Sequence, residues 1–195
     1  MPVADRLRPG EGLRIELDPH PLVEDRFDAE VGGNLVGQLR RFGDRNNRGA
    51  AAPLRTVVEH MIPILVTLLR DAATIEVDLD ALPADVTVAM PAGHVEQLVL
   101  NLCLNAKDAL PGHGAIRLAA RAAGAAVVVT VADDGAGMTP EVVARIWEPY
   151  FTTKATGTGL GLATVKAIVD EAGAEVAVAS APGHGTTFTV TIPVA

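Results

Sequence analysis

The sequence predicts an α+β domain, a two-layer sandwich in which helices cover one face of a mixed β-sheet. Short apolar or alternating runs indicate strands, and longer runs with apolar residues three or four positions apart indicate helices. The strands mostly follow one another as meanders, and this order argues against a doubly wound parallel sheet. The predicted helices span residues 54–71, about 94–110, 140–147 and 159–172, and the predicted strands span 74–79, 86–90, 116–121, 127–132, 175–179 and 186–192.

Residues 1–48 are predicted to be an extension of a compact domain at residues 49–195, because a polar connector containing Gly and Asn lies at 45–53. Within the extension, apolar residues recur at helical spacing over about 24–42, which predicts an amphipathic helix. Its apolar stripe could pack on its own domain or form half of a helical hairpin that makes a homodimer. The pattern favours neither arrangement.

The amino-acid composition indicates which classes of partner are disfavoured and in which compartment the protein is expected. Lys and Arg number 16 against 24 Asp and Glu, and the net charge of −8 disfavours nucleic acid and anionic membranes as partners. Residues 1–21 contain no long apolar run, so neither a signal peptide nor a membrane anchor is predicted. The single cysteine, Cys103, lies in an apolar helical pattern typical of a buried thiol. These features indicate a cytoplasmic protein or fragment.

A glycine-rich segment near the start of the 159–172 helix predicts an anion site. Glycine at alternate positions lets backbone N–H groups turn toward an anion, and a helix N-terminus adds a favourable dipole. A triphosphate suits this geometry, although a flexible linker or a tight turn is the alternative for such a loop alone. The residues are Gly157, Thr158, Gly159, Leu160 and Gly161.

Asp133 follows the apolar run 127–132, so its carboxylate is predicted to lie at the tip of a buried strand. Burying an unpaired carboxylate is costly, so Asp133 either accepts hydrogen bonds from local backbone donors or receives a ligand amine. Gly135 and Gly137 would let the chain pass close beneath a planar ring, which favours the ligand. Asp134 would point to solvent, because side chains alternate along a strand.

Three polar residues share one face of the predicted helix 94–110. Asn101, Asn105 and Asp108 are spaced i, i+4 and i+7 among leucines. Amide oxygens are hard ligands suited to Mg²⁺, so Asn105 and Asn101 are candidate metal ligands, and Asp108 would orient groups in the pocket. Asparagines that cap or cross-link neighbouring turns are the alternative, and the glycine loop favours the metal.

Taken in order, these segments resemble the motifs of sensor histidine kinases over about residues 50–195. The resemblance implies the Bergerat fold of gyrase, heat-shock chaperone and mismatch-repair ATPases, in which ATP binds between helices under a flexible lid. The matching segments are 101–110 for the N box, Asp133-x-Gly135-x-Gly137 for the G1 box, 147–154 for the F box, 157–162 for the G2 box and 183–188 for the last glycine motif.

The resemblance implies a role for residues at both ends of a bound ATP. At the base, Asp133 would accept from the adenine amine, and Gly135 and Gly137 would shape the adenine floor. Thr187, in the last glycine motif, would also bind the cofactor. At the phosphates, the roles fall to residues of the N box and the lid. Asn105, with Asn101, would hold Mg²⁺, and Asp108 would orient groups in the pocket. Lys154 would reach the γ-phosphate, and the loop 157–161 would cradle the phosphates. Asn101 and Lys154 would be the catalytic residues.

Three aromatic residues precede the glycine loop. Trp147, Tyr150 and Phe151 are predicted to be core anchors that hold the hinge of the lid while the loop moves, without contacting substrate.

The family transfers phosphate to a histidine on a preceding two-helix dimerisation domain. The one upstream histidine, His20, lies between Pro19 and Pro21, where an exposed helix is disfavoured, so the acceptor is predicted to be missing, degenerate or supplied by another chain. The sequence thus predicts the Mg²⁺-ATP-binding catalytic domain of a two-component sensor histidine kinase, an ATP-dependent enzyme that works with a histidine-bearing dimerisation domain and a response regulator. The alternative is an ATP-gated regulatory or interaction module that transfers no phosphate.

Overall fold

The computed structural model describes residues 13–15, 51–154 and 157–195. The predicted helix over 24–42 and the predicted boundary between residues 48 and 49 lie outside the described residues.

The strands among the described residues are β1 Leu13–Ile15, β2 Ala52–Pro53, β3 Ala73–Asp78, β4 Thr87–Val88, β5 Gly114–Ala123, β6 Ala126–Asp133, β7 Glu175–Ser180 and β8 Thr186–Pro193. Six of these strands form the main sheet, in the order β1-β3-β5-β6-β8-β7. Strands β3 and β5 are parallel, and every other neighbouring pair in this sheet is antiparallel. The other two, β2 and β4, form a small antiparallel pair.

The helices lie on one face of this sheet. The central strands bury alternate residues, such as Val129 on β6 and Val190 on β8, as expected for a sheet with one covered face. The helix that begins at Ala92 packs against the helices Leu54–Leu69 and Gly161–Glu171, and against β5 and β6. The α+β sandwich predicted from the sequence is therefore confirmed. The helices are α1 Leu54–Leu69, α2 Ala92–Ala109, α3 Pro140–Val143 and α4 Gly161–Glu171.

Two predicted elements are much shorter than expected. The helix predicted over 140–147 ends at Val143, and the chain continues in turns that bury Ile146 and place Trp147 edge-on to Phe188, with ring centroids 6.0 Å apart. The strand predicted over 86–90 is reduced to two residues, because its partner β2 is only two residues long. Tertiary contacts, with the core in the first case and with a partner strand in the second, set both lengths.

Cys103 is a structural thiol, as the sequence predicted. It is completely buried on α2, and this burial raises its pKa to about 12, so the thiol stays protonated and a poor nucleophile at neutral pH. Among the helices of the described residues, none has the length and apolar character needed to cross a membrane.

Candidate functional site

A cleft of about 250 Å³ lies between α2 and the segment that leads into α4. The structure brings most of the residues predicted for the phosphate and metal end into this cleft. Its lining includes Asn101, Asn105, Asp108, Met138, Lys154, Gly157, Thr158, Gly159 and Gly161.

Helix α2 supplies the polar wall of the cleft. Its apolar face, which includes Leu98 and Leu102, is buried in the core, and the asparagines at 101 and 105 therefore project on the other side. Asp108 extends the same polar line by about one turn. The predicted polar face of the helix is thus the wall of a cavity.

The ammonium of Lys154 lies against Asn105, one of the two predicted metal ligands, and against Asp108, which is predicted to orient groups in the pocket. Its Nζ donates to Asn105 Oδ1 at 3.0 Å and to Asp108 Oδ2 at 3.0 Å. A neutral amide oxygen and a carboxylate oxygen thus converge on one positive charge. Such a hard oxygen pair also suits Mg²⁺, which takes its remaining ligands from water and phosphate. Asn105 therefore fits the predicted cation, and Asn101, the other predicted ligand, lines the same cleft.

Asp133 ends β6 with one carboxylate oxygen held and the other free. Its Oδ1 accepts from the Gly135 N–H at 2.9 Å and from the Thr186 N–H at 3.2 Å. Its Oδ2 accepts no hydrogen bond from the described residues. Burial raises the pKa of the Asp133 carboxyl above its ordinary value, against the opposing effect of the two backbone hydrogen bonds and of Lys154. The free oxygen is available to a ligand donor.

The two glycines after Asp133 permit close backbone packing. A Cβ on Gly135 would come within 2.6 Å of the Ala109 carbonyl oxygen. Gly137 has φ +65°, and a Cβ there would overlap the Ala181 carbonyl oxygen. The next residue, Met138, lines the cleft. The loop after β6 thus runs from Asp133, which is not among the residues that line the cleft, to the cleft wall at Met138, and Asp134 is exposed, as predicted.

The glycine loop lies at the N-terminus of α4, as the sequence predicted. Gly159 has φ +67°, and its carbonyl accepts from the Tyr150 N–H at 2.9 Å. Gly161 begins the helix and lines the cleft. The Leu160 side chain is 42% exposed. Backbone N–H groups at a helix start that face a cavity are suited to phosphate.

The prediction that all three aromatic residues are anchors is wrong for Tyr150. Trp147 packs on Phe188, and Phe151 stacks under the Arg145 guanidinium at 4.3 Å. Tyr150 has φ +65° and is 76% exposed. Its backbone bond to Gly159 closes the loop, and the left-handed conformation directs the side chain away from the core.

The structure brings Thr186, rather than Thr187, to Asp133. Thr186 pairs with Asp133 in the sheet and is buried, whereas Thr187 alternates to the other face and is half-buried. Ser180 was also not predicted, although its hydroxyl accepts from the Met138 N–H at 2.9 Å. The register of β6 and β8 pairs Asp133 with Thr186, and no sequence signal gives this register or pairs Ser180 with Met138.

Comparison with known proteins agrees with this geometry. Residues 91–195 match the family described as histidine kinase-, DNA gyrase B-, and HSP90-like ATPase. Sensor histidine kinase ZraS of Escherichia coli (strain K12) is 40% identical over 149 residues, which cover 74% of this chain and 31% of ZraS. The chain therefore spans about a third of the length of the curated relatives it matches.

Two solved structures share the fold. The nucleotide-free catalytic domain of histidine kinase ThkA has a TM-score of 0.64 at 26% identity, and the match covers 75% of this chain and 96% of that domain. Full-length ShkA in complex with AMPPNP has a TM-score of 0.60 at 29% identity, and the match covers 85% of this chain and 37% of ShkA.

Proposed function

Because the chain belongs to the family of histidine kinase-, DNA gyrase B- and HSP90-like ATPases, we propose that it is the Mg²⁺-ATP-binding catalytic domain of a two-component sensor histidine kinase. One observation carries the proposal. A cleft holds the Lys154 ammonium against Asn105 and Asp108, and Asp133, which one loop joins to the cleft residue Met138, has an oxygen that accepts no hydrogen bond from the described residues. The relatives ZraS, ThkA and ShkA are sensor or histidine kinases, which supports this member of the family over its other branches.

At the base end, Asp133 Oδ2 would accept from the exocyclic amine of adenine. An ionised carboxylate only accepts hydrogen bonds, so it favours an amine and disfavours a base with a carbonyl at that position. Gly135 and Gly137 would let the ring lie close to the backbone. The complex of ShkA with the ATP analogue AMPPNP supports an adenine nucleotide here.

At the phosphate end, Asn105 and Asn101 would hold Mg²⁺, which supplies charge neutralisation when bound. Lys154 would release Asn105 and Asp108 and move to the γ-phosphate, because its amine and the metal compete for the Asn105 oxygen. The backbone N–H groups of the loop 157–161 would donate hydrogen bonds to the remaining phosphate oxygens.

The reaction we propose is phosphoryl transfer to a histidine on a separate helical segment. An imidazole nitrogen of that histidine would form the new bond to the γ-phosphorus as the bond to ADP breaks, and a response regulator would take the phosphate next. Catalysis would rest on positioning and charge neutralisation. Residues 1–48 would form the connection to the dimerisation segment, with the predicted helix at 24–42 as a homodimer contact.

Incubation with γ-labelled ATP tests transfer directly. We expect an acid-labile phosphoprotein only when a histidine-bearing dimerisation domain is added, and little hydrolysis, because Asn101 offers no basic carboxylate to activate water. Lys154→Met should reduce transfer about tenfold, the scale of one hydrogen bond to a charged group. The matched control is Lys166→Met, because Lys166 pairs with Asp170 on α4 outside the cleft.

Two results would contradict this assignment. Robust ATP hydrolysis, or stable phosphorylation of His20 in the unmodified chain, would indicate an enzyme that needs no separate acceptor. ATP binding without transfer to any histidine-bearing partner would instead indicate a nucleotide-gated interaction module.

Hydrogen exchange tests the lid. The loop around Gly157 and Gly159 contains three glycines between 157 and 161 and buries little apolar surface, so its amides should exchange rapidly without nucleotide. Mg²⁺ with a non-hydrolysable ATP analogue should slow their exchange about tenfold or more, because phosphate would order the loop. Strand β6 serves as the internal reference. Equal exchange with and without nucleotide would identify the loop as a static turn.

A further inference from the structure

Ser180 joins the two loops that flank Asp133. It is the last residue of β7 and lies opposite Thr186 of β8 in the sheet register. Its hydroxyl oxygen accepts from the Met138 N–H at 2.9 Å, donates to the Gly185 carbonyl at 3.0 Å and lies 2.9 Å from Thr186 Oγ1. One side chain thus contacts the loop after β6, the turn before β8 and the first residue of β8.

The hydrogen-bonding capacity of Ser180 is completely used within the protein. A serine hydroxyl has one proton, and donation to Gly185 leaves its oxygen as an acceptor for both other partners. Thr186 is therefore the donor in the hydroxyl pair. Ser180 has no hydrogen left for a ligand, so any part it plays in binding is through the residues that it holds.

Those residues determine how Asp133 is presented. The Thr186 N–H fixes Asp133 Oδ1, and Met138 follows directly on Gly137. The two loops are also joined by backbone hydrogen bonds from Gly185 to Gly135 at 3.0 Å, and from Gly183 to Ala136 at 2.7 Å. Backbone bonds survive most substitutions, whereas the bond to Met138 depends on the Ser180 hydroxyl.

We propose that Ser180 is a positioning residue for base recognition, which holds Thr186 and Met138 so that Asp133 directs its free oxygen at the exocyclic amine of adenine. This inference rests on the proposed function, since it assumes that ATP is the ligand. Its consequence is selective. Loss of the hydroxyl should weaken the part of the binding that depends on the amine, and should leave the phosphate contacts in the cleft intact.

The test compares ATP with purine riboside 5′-triphosphate, which lacks only the exocyclic amine, by calorimetry. The wild-type chain should bind ATP about tenfold more tightly than the analogue, the scale of one hydrogen bond to a buried charged group. Ser180→Ala should reduce this ratio to about two- or threefold. Ser180→Thr keeps a hydroxyl and should restore the ratio.

The control variant is Thr189→Ala, which removes a hydroxyl from β8 on the face of the sheet opposite Thr186 and should keep the wild-type ratio. If Ser180→Ala weakens both nucleotides equally, Ser180 has only a structural role and this inference is wrong, while ATP binding by the wild type still stands. Failure of the wild-type chain to bind either nucleotide would overturn the inference and the proposed function together. If Ser180→Ala does not fold, Ser180→Cys keeps the side-chain volume with a weaker donor and acceptor, and an unchanged ratio in that variant would overturn the inference.

Discussion

We expect Gly137→Ala to abolish nucleotide binding and to lower the free energy of unfolding by about 2–5 kcal/mol. Gly137 has φ +65°, a conformation in which any Cβ is strained. The added Cβ would also overlap the Ala181 carbonyl oxygen and lie 3.0 Å from the Gly185 carbonyl oxygen. Relief of this overlap requires the loop after β6 to move away from the turn before β8, and Asp133 lies between them. Denaturant unfolding and calorimetric titration with Mg²⁺-ATP measure the two effects.

Gly124→Ala is the matched control for this experiment. Gly124 lies in the turn between β5 and β6 with φ +62°, so alanine meets the same backbone penalty there. Apart from its two chain neighbours, no described residue has an atom within 4 Å of the added Cβ. Gly124→Ala should therefore cost only about 1 kcal/mol and leave ATP affinity unchanged. Equal losses in the two variants would mean that the close approach to Ala181 is unimportant.

The difference between these two glycines illustrates what the sequence can and cannot predict. The spacing of Gly135 and Gly137 after a buried strand predicts a close backbone passage, because glycine permits conformations that other residues avoid. The partner is Ala181, on a turn more than forty residues later, and no local pattern indicates it. Local chemistry therefore identified the loop, and the fold supplied the surface against which it packs.

The phosphate end shows the same division. Helical spacing placed Asn101, Asn105 and Asp108 on one face, and the structure lines a cleft with them. Lys154 is predicted to serve the γ-phosphate, and in the structure it contacts Asn105 and Asp108 from a distant segment. The hydrogen-bond partners of a flexible ammonium depend on which oxygens lie near it in the folded protein, so the sequence spacing of Lys154 does not predict them.

The errors occurred where the tertiary environment overrides local pattern. Tyr150 belongs to a group of aromatic residues whose pattern predicts core positions. Its backbone N–H bonds to the Gly159 carbonyl in a left-handed conformation, which turns the ring to solvent. Helix α3 ends at Val143 because Ile146 and Trp147 have to reach the core beneath it. Both features depend on tertiary contacts with the sheet or the glycine loop, which local sequence patterns do not predict.

We expect Asp133→Asn to weaken ATP binding by about 1–3 kcal/mol, or roughly 5- to 150-fold. The asparagine carbonyl can still accept from the Gly135 and Thr186 N–H groups, because these bonds use one oxygen of the side chain. The amide NH₂ then occupies the position of Oδ2 and presents a donor to the donor amine of adenine. Calorimetric titration of both chains with Mg²⁺-ATP measures the loss.

We expect Asp133→Asn to retain or raise the free energy of unfolding while it weakens ATP binding. Because burial raises the pKa of the Asp133 carboxyl, the folded state binds its proton more tightly than the unfolded state. The charged carboxylate thus lowers the free energy of unfolding above that pKa, and this cost disappears as the pH falls through it. Asp133→Asn removes the cost, so the variant should be at least as stable as the wild type at neutral pH. ATP affinity of the wild type should also fall as the pH approaches the raised pKa from above, and the variant should lack this dependence.

Asp134→Asn is the control for Asp133→Asn. Asp134 is exposed, and its Oδ1 accepts from the Ala115 N–H at 2.9 Å, a bond that asparagine can keep. This neighbouring change removes the same charge and should alter ATP affinity by less than about 0.5 kcal/mol. If Asp133→Asn lowered stability and affinity together, Asp133 would have a structural role, and unchanged affinity would remove it from base recognition altogether. Weaker binding with retained stability is the result expected of a carboxylate that the fold holds ready for a ligand.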